Sequence, residues 1–255
     1  MCLIAVAWQA LPGTPLVVAA NRDEFHARAA TAAAPWDDAP QVFGGRDRVQ
    51  GGGWLAVNAQ AQRLAAVTNV RRMVPPDPEA PSRGRLVADF ARARTAVAGF
   101  LDALHGDAPR YAGFNLLLWD GAAMRFATNH PEPSVQPLSP GLHLVSNASL
   151  DTPWPKAERL RTAMTDWLAL AEPRRTPEPL FEALADRRQA PDAALPDTGV
   201  GLAHERMLSP PFIVSPGYGT RASTVVMAHD DGGIDFIERR FDAEGACVGE
   251  THEHL

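Results

Sequence analysis

A cysteine at the second position opens an apolar, β-prone run over residues 2–7. We expect Met1 to be removed, because a small residue follows it, and Cys2 then carries both a thiol and a free α-amino group. Such an amine titrates near ~7.7 to 8.0, so it can accept a proton from the neighbouring sulfur at neutral pH. The pattern predicts a nucleophile that carries its own base. The alternative is that Cys2 is a small apolar side chain in a buried strand.

A run of polar residues is predicted to lie beside Cys2. The apolar runs 3–8 and 15–20 flank a Pro-Gly turn and predict an antiparallel hairpin, which returns the end of its second strand to Cys2. The polar residues at that end are Asn21, Arg22, Asp23 and Glu24. An arginine lowers the pKa of a nearby thiol, and a carboxylate raises the pKa of an α-ammonium group. We therefore expect alkylation to be faster at Cys2 than at Cys247, and the sequence leaves open which carboxylate faces the amine.

Two further strands are predicted to end on asparagine, at Asn69 and Asn147. A thiolate that attacks an amide or ester carbonyl creates an oxyanion, and a preorganised side-chain amide stabilises it by ~2.7 to 4 kcal/mol. Asn69 is the residue that we expect to supply this donor. The alternative for both residues is turn chemistry, because asparagine tolerates the left-handed backbone and bonds its own loop.

Hydrophobic periodicity and turn signals predict an α+β fold of antiparallel sheets with helices packed on them. A parallel βαβ fold is disfavoured, because tight turns join consecutive strands. The predicted strands are 3–8, 15–20, 54–58, 63–69, 113–119, 124–128, 141–146, 223–228 and 233–241. The predicted helices are 83–104, 155–171 and one that begins near residue 176, and residues 189–217 are predicted to form a long loop.

Composition narrows the class of protein. A chain of 255 residues with 45% hydrophobic content can bury a sizeable core, and we interpret residues 1–255 as a single domain. The formal net charge of -6, without a long run of one sign, gives no footprint for nucleic acid. We find no membrane-spanning segment and no secretory signal in the sequence, so the cytoplasm is the expected compartment.

Metal and haem motifs are not found. The eight histidines are dispersed, without the H-E-x-x-H or C-x-x-C-H spacing, and we expect neither a metal nor a resident cofactor. His252 and His254 fall in the last residues, which we expect to form a disordered tail. Cys247 is interpreted as a small residue in that tail, beyond the last hairpin.

A series of short motifs in a fixed order spans the chain. They are Cys2, Asn21-Arg22-Asp23-Glu24-Phe25, Gly44-Gly45-Arg46-Asp47, Thr68-Asn69-Val70-Arg71, Pro81-Ser82-Arg83-Gly84, Gly113-Phe114-Asn115-Leu116-Leu117, Ser146-Asn147-Ala148, Asp151-Thr152-Pro153-Trp154-Pro155-Lys156 and Tyr218-Gly219-Thr220-Arg221. Together they resemble the NRDE family, the group that includes the transport and Golgi organisation proteins.

That family is similar to the N-terminal nucleophile hydrolases of the bile-salt hydrolase and penicillin acylase branch. The resemblance implies a four-layer αββα sandwich in which Cys2 is the nucleophile, Asn69 the oxyanion donor and Asn147 a second asparagine that orients amine and substrate. Those hydrolases carry an Arg and, three residues later, an Asp on the second strand, a spacing that residues 22–24 do not show. The resemblance also assigns Arg71, Trp154 and Arg221 to substrate binding, Arg221 by residue type alone.

Two functions of different classes follow from the resemblance. One is hydrolysis of an amide or ester bond in a small amphipathic molecule by Cys2. The other is non-catalytic trafficking of haem or of an acyl-lipid or acyl-CoA in the same cleft, with haem as cargo rather than cofactor. An intact Cys2 and two asparagines favour the hydrolase, and the missing Arg-to-Asp spacing favours the carrier.

Overall fold

The computed structural model describes residues 2–71, 77 and 79–255, so the predicted removal of Met1 lies outside the described residues. In chain order the strands are β1 (Cys2–Leu11), β2 (Thr14–Phe25), β3 (Ala34–Trp36), β4 (Ala39–Gly44), β5 (Leu55–Asn58), β6 (Arg63–Asn69), β7 (Phe114–Trp119), β8 (Met124–Thr128), β9 (Ser134–Pro137), β10 (Gly141–Val145), β11 (Val214–Ser215), β12 (Tyr218–Ala228), β13 (Ile234–Phe241) and β14 (Cys247–His254). The α-helices are α1 (Gly84–Arg92), α2 (Val97–His105), α3 (Pro155–Leu168), α4 (Glu178–Leu184) and α5 (Leu202–Met207).

The chain forms two compact units, and the first consists of Met1–Ala27 and Pro140–Leu255. Its antiparallel sheet has the order β10-β1-β2-β12-β13-β14, with β11 paired to β12. One face of this sheet packs on α3 and α4. The core on that face is apolar and includes Leu3, Ala5, Val17, Ala19, Leu160, Met164, Trp167, Leu180 and Leu184.

The second unit is Arg28–Ser139. Its antiparallel sheet runs β3-β4-β5-β6-β7-β8-β9 in chain order, and helices α1 and α2 pack on one face. The core between sheet and helices includes Val42, Ala65, Val67, Leu86, Phe90, Leu101, Leu116 and Leu118. The expected α+β class, built from antiparallel sheets with helices, is confirmed in both units. Treatment of residues 1–255 as one domain stays a prediction.

The helix predicted over residues 83–104 is divided, which corrects the sequence analysis. Helix α1 ends before Ala93, whose backbone is extended, and α2 begins at Val97. Tertiary hydrogen bonds explain the break. The Val97 N–H donates to Asp120 Oδ2 at 2.8 Å, and the Arg63 guanidinium donates to the carbonyl of Thr95. A helix continuing through residues 93–96 could not offer these groups to the sheet.

The C-terminal tail is also different from its prediction. Residues 247–254 form strand β14, which pairs along β13 and makes the edge of the first sheet. Leu255 and Ile234 exchange backbone hydrogen bonds of 2.9 and 3.0 Å beyond the end of this strand. The long loop predicted over residues 189–217 contains α5 and β11. Strands β3, β4 and β9 were not predicted.

No helix among the described residues combines the length and the apolar character needed to cross a membrane.

Candidate active site

Strand pairing brings Cys2 and the polar run of β2 together. The run lies within β2 rather than after it, and the register sets Cys2 opposite Arg22 and Leu3 opposite Asn21. Directly opposed residues in antiparallel strands have Cβ atoms roughly 4.5–5.5 Å apart. Because side chains alternate along a strand, Cys2 and Arg22 share one face, whereas Asn21 lies on the face that packs on the helices. The predicted hairpin therefore delivers Arg22 to Cys2.

The Cys2 thiol is buried, with 8% of the residue exposed. Burial raises the pKa of this thiol, and the carboxylate of Asp23 raises it further, whereas the Arg22 guanidinium and the backbone N–H of Asp23 lower it. Burial has the largest effect, so in the chain that carries Met1 the thiol is held in its neutral form. The groups that favour a thiolate are in place, but they do not outweigh burial.

Asp23 is the carboxylate whose charge acts on Cys2. It is 1% exposed, and its Oδ1 accepts a hydrogen bond of 2.7 Å from Thr220 Oγ1. Burial raises the pKa of Asp23, and the positive charges of Lys156 and Arg22 lower it. Glu24 instead lies 3.7 Å from Arg22 and accepts the backbone N–H of Phe25 at 2.9 Å. Asp23 and Glu24, which the sequence leaves as alternatives for the carboxylate facing the amine, therefore lie in different surroundings. Asp23 is buried and bonded to Thr220, and Glu24 lies near Arg22.

Asn147 lies on the other side of Cys2. The pairing of β1 with β10 ends with Ile4 opposite Val145, and residues 146–147 follow directly after β10, near the start of β1. The hydroxyl of Ser146 lies 2.9 Å from the carbonyl oxygen of Cys2 and 3.1 Å from Asn147 Oδ1. Cys2 is therefore held between β2 on one side and the end of β10 on the other.

Lys156 is a residue of this site that the sequence analysis did not select. It lies in the first turn of α3 with 1% of its surface exposed, and its Nζ is 3.5 Å from Asn147 Oδ1. Lysine is almost never fully buried unless it is paired. Two signals could have identified it: Lys156 precedes Leu160 by four residues on the buried stripe of α3, and it is the single lysine in the sequence.

Asn21 is used for structure. Its Nδ2 donates to the carbonyls of Leu184 at 2.8 Å and Pro211 at 2.9 Å, and its Oδ1 accepts the Ser223 hydroxyl at 2.6 Å. These three bonds tie β2 to the end of α4, to the segment before β11 and to β12. The side chain links four segments of the first unit, and its predicted catalytic role stays a prediction.

Two of the residues assigned to substrate binding are engaged elsewhere in the first unit. The Arg221 guanidinium donates to the backbone carbonyls of His26 at 2.8 Å and Phe241 at 3.4 Å. Trp154 occupies the N-cap position of α3 and packs against the core between sheet and helices. These contacts explain structural roles for both side chains, and substrate binding by either stays a prediction.

The remaining predicted residues, Asn69 and Arg71, belong to the second unit. Asn69 is the last residue of β6 and pairs with Phe114. Arg71 is half-buried two residues later. The roles that the resemblance assigns to them stay predictions.

Among residues 2–71, 77 and 79–255, no group of three or more histidine, cysteine, aspartate or glutamate side chains is arranged to hold a metal ion. The arrangement around Cys2 is instead one of a buried thiol, an arginine, a carboxylate, a primary amide and an ammonium group. Such a set can hold an α-amine and a carbonyl-containing ligand, and it can transfer a proton.

Comparison with known proteins identifies a family and several of its members. The model of the family described as Transport and Golgi organisation 2 matches residues 1–243. The Transport and Golgi organization protein 2 homolog of Homo sapiens is 32% identical over 281 residues, which covers 100% of this chain and 98% of the relative. Transport and Golgi organization protein 2 of Drosophila melanogaster is 28% identical over 93% of this chain and 91% of its own length.

Among solved structures, the N-acylethanolamine-hydrolyzing acid amidase ortholog of Caenorhabditis elegans aligns with a TM-score of 0.41 at 11% identity. The alignment covers 88% of this chain and 92% of that one.

Proposed function

Because this chain belongs to the Transport and Golgi organisation 2 family, we propose as the activity of its Cys2 site the hydrolysis of an amide or ester bond in a small amphipathic molecule. The observation that carries the proposal is the strand register, which sets Cys2 opposite Arg22. The charge of the buried Asp23 acts on the same thiol, and Ser146 links Asn147 to the Cys2 carbonyl. Each of these groups has a task in thiol catalysis.

The reaction requires that Met1 be removed, so that the base is the α-amine of Cys2. The amine takes the proton of the thiol, and the sulfur attacks the carbonyl carbon to give a tetrahedral oxyanion. Collapse of this intermediate expels the amine or alcohol, which takes the proton from the α-ammonium group, and leaves a thioester on Cys2. A water molecule, deprotonated by the same amine, then attacks the thioester. The carbon–sulfur bond breaks, the acid is released, and the Cys2 sulfur recovers its proton from the α-ammonium group.

The charges at the site divide this work. Arg22, opposite Cys2, favours the thiolate. Asp23, ionised, stabilises the α-ammonium group that forms when the proton leaves the sulfur. Asn147, beside the Cys2 backbone through Ser146, supplies an amide that can bind the substrate carbonyl. Arg22 thus favours the negative charge on the sulfur, and Asp23 favours the positive charge on the amine. The sulfur and the amine are the two groups that exchange the proton.

A carrier function is the second candidate, and the burial of the thiol favours it. A thiol that is 8% exposed with a raised pKa is a poor nucleophile, and this is its state in the chain that carries Met1. The cargo would be haem, or an acyl-lipid or acyl-CoA. The relatives are named for transport, which is compatible with this alternative. For either function, the cytoplasm remains the compartment predicted from the sequence.

The test begins with the processing of the chain. Intact mass should show that Met1 is absent from freshly expressed protein. This material is then assayed with a series of p-nitrophenyl acyl esters and matching N-acyl aminocoumarin amides. Cys2→Ala should abolish turnover of any responsive probe and leave its binding intact, because the nucleophile makes the reaction and the pocket makes the affinity. Cys247→Ala is the matched control and should leave turnover unchanged.

The carrier arm uses haemin and a long-chain acyl-CoA as probes. Under the hydrolase proposal, haemin binds weakly and without fixed stoichiometry, and its Soret band stays broad. A saturable one-to-one haemin spectrum that is lost on changing one histidine or cysteine, in a protein with no turnover of any probe, would replace the hydrolase by the carrier.

A further inference from the structure

Lysine is rarely buried fully unless it is paired, so the almost complete burial of Lys156 requires an explanation. It is the single lysine among 24 basic residues, and all the others are arginine. The ammonium group of lysine is a compact point charge with three donors and no acceptor, whereas the guanidinium of arginine is a wider planar fork. The buried position beside Asn147 is therefore occupied by the single lysine of the sequence, whose positive charge is carried by a smaller head group than that of arginine.

The ammonium group decides which way the amide of Asn147 faces. The atom of Asn147 that lies 3.5 Å from Lys156 Nζ is Oδ1. An asparagine could place either its oxygen or its nitrogen there, and geometry alone does not distinguish them. A group that only donates requires an acceptor. Lys156 thus fixes Oδ1 on its own side and leaves the Nδ2 group, a donor, for the other side of the amide.

The same contact affects the hydroxyl of Ser146. This hydroxyl has one proton, and two acceptors lie within reach: the Cys2 carbonyl oxygen at 2.9 Å and Asn147 Oδ1 at 3.1 Å. Because Lys156 supplies a donor to Asn147 Oδ1, the proton of Ser146 can stay on the Cys2 carbonyl. The ammonium group therefore acts on the Cys2 carbonyl indirectly, through the uncharged side chains of Asn147 and Ser146.

We propose that Lys156 is a positioning residue of the Cys2 site, which holds Asn147 as a hydrogen-bond donor and leaves Ser146 to fix the Cys2 carbonyl. The inference rests on the proposed function, because the Asn147 donor serves the substrate carbonyl in that reaction. Its positive charge also balances the buried Asp23 on the same side of the sheet, so one side chain supports both groups that surround the nucleophile.

Three substitutions separate the donor from the charge. Lys156→Met removes both, Lys156→Gln keeps a donor without the charge, and Lys156→Arg keeps both in a wider group. Loss of an oxyanion donor typically lowers kcat by roughly 10²–10³. We expect a smaller loss for Lys156→Met, about 10- to 100-fold in kcat with KM within about threefold, since the donor is present but no longer fixed. Lys156→Gln should lose less than Lys156→Met, and Lys156→Arg should recover the most.

The structural readout does not depend on turnover. In a proton–nitrogen NMR spectrum, the side-chain amide pair of Asn147 is identified by its loss in Asn147→Asp. In Lys156→Met this pair should shift and exchange with solvent at least about tenfold faster, because its oxygen loses the ammonium donor and shares the Ser146 hydroxyl with the Cys2 carbonyl. Arg159→Met is the matched control. It removes a cation of the same helix that contacts Asp186 and the carbonyls of Arg188 and Gln189, and it should leave the Asn147 signals in place.

An unchanged Asn147 amide pair in Lys156→Met overturns the inference, whatever the turnover. Unchanged kcat in Lys156→Met of an active protein overturns it as well. If the wild type turns over no probe, the proposed function fails, and the amide pair still decides whether Lys156 positions Asn147. Should Lys156→Met not fold, Asp23→Asn/Lys156→Met removes the opposing charge in the same protein and gives the same NMR comparison.

Discussion

The interior of the first sheet and its β14 edge place similar groups in different surroundings. In the interior, β1 and β2 hold Cys2 and Asp23, with Lys156 of α3 nearby, and all three residues are nearly without solvent exposure. At the edge, β14 carries an exposed Cys247, and Asp235 of the neighbouring β13 is bonded to two histidines. Each region has a thiol and a carboxylate with basic partners. The two regions differ in their access to water and in the partner type, which is lysine and arginine for Asp23 and histidine for Asp235.

The carboxylates show what burial does. Burial raises the pKa of Asp23 in spite of the charges of Lys156 and Arg22. Partial burial would raise the pKa of Asp235 too, but hydrogen bonds from His254 and His229 outweigh it and lower the pKa. Full burial therefore prevails at Asp23 over the charges of Lys156 and Arg22, whereas partial burial at Asp235 is offset by hydrogen bonds, because desolvation disfavours the charged form more as burial deepens. Buried ionisable groups with shifted pKa values are often found at functional sites, which supports the proposal of a function at Cys2.

The largest expected effect comes from removing the buried carboxyl group of Asp23. Asp23→Ala leaves the buried Thr220 hydroxyl without its acceptor and removes the carboxyl group near Lys156, and we expect the free energy of unfolding to fall by roughly 1–3 kcal/mol. Asp235→Ala should lower it by less than about 1 kcal/mol, since these ion pairs are open to solvent and screened. Urea unfolding of both variants measures the difference. Equal losses would remove the distinction between the two regions.

The double variant and the pH dependence sharpen this result. Asp23→Ala/Lys156→Met should recover part of the stability, because no charge is then left buried. In the wild type the folded-state pKa of Asp23 is raised, so its contribution to stability is complete below about pH 3.9 and is lost as the pH rises through the raised pKa. Relative to Asp23→Asn, the wild type should lose stability over that window, and a pH-independent difference would contradict the assignment.

The two cysteines give an effect of intermediate size. The sequence predicted that Cys2 is alkylated faster than Cys247. Burial of Cys2 and the raised pKa of its thiol reverse the expected order in chains that carry Met1. There we expect iodoacetamide to modify Cys247 at least about tenfold faster than Cys2 at pH 7, because only an accessible thiolate reacts. Peptide mapping by mass spectrometry measures both rates in one sample.

The same map contains its own control, because N-terminal peptides with and without Met1 differ in mass. In chains that lack Met1, the α-ammonium group lies on Cys2 itself and lowers the pKa of the thiol, so Cys2 should react faster than it does in chains that carry Met1. Equal rates for the two forms would mean that the amine does not assist the sulfur, and the hydrolase proposal would lose its base.

The same two regions differ in how much of their structure could be predicted from the sequence. The hairpin of β1 and β2, and with it the approach of Arg22 and Asp23 to Cys2, follows from two apolar runs around a Pro-Gly turn. Strand β14 does not follow, because an exposed edge strand has no buried side to impose an alternation of apolar residues. Its residues are polar or charged at most positions, and the same composition is typical of a tail.

Within the site, the sequence motifs identify candidate functional residues but not the residues that position them. Lys156 is adjacent to a proline at a helix start, where a charged residue is ordinarily exposed, and only tertiary packing reveals that it is buried. The different surroundings of Asp23 and Glu24 likewise could not be predicted, since Thr220 reaches Asp23 from a strand almost two hundred residues away in the chain. Local pattern cannot encode such partners.

The smallest effect is expected at the open edge of the first sheet, where Asp235 of β13 is bonded to His254 of β14. His229 Nε2 lies 2.8 Å from its Oδ2, and His254 Nδ1, on β14, lies 2.7 Å from its Oδ1. The hydrogen bond to Asp235 raises the pKa of His254, so the stability from His254 is complete below about pH 6.5 and is lost as the pH rises through the folded-state pKa. Asp235 has a lowered pKa, so its stability is complete above about pH 3.9 and is lost as the pH falls through the folded-state pKa.

Both contributions are therefore present together only between about pH 3.9 and 6.5. Over that window the backbone amides of β14 should be most protected from hydrogen exchange relative to Asp235→Asn, and the protection should decline on either side. The effect should be small and should shrink in high salt, because His254 is exposed. His252→Ala is the matched control on β14: it removes an exposed histidine that does not bond Asp235 and should keep the pH window. Protection that does not change with pH, or that is lost equally in His252→Ala, would show that the backbone pairing of β13 with β14 holds this edge without help from the histidines.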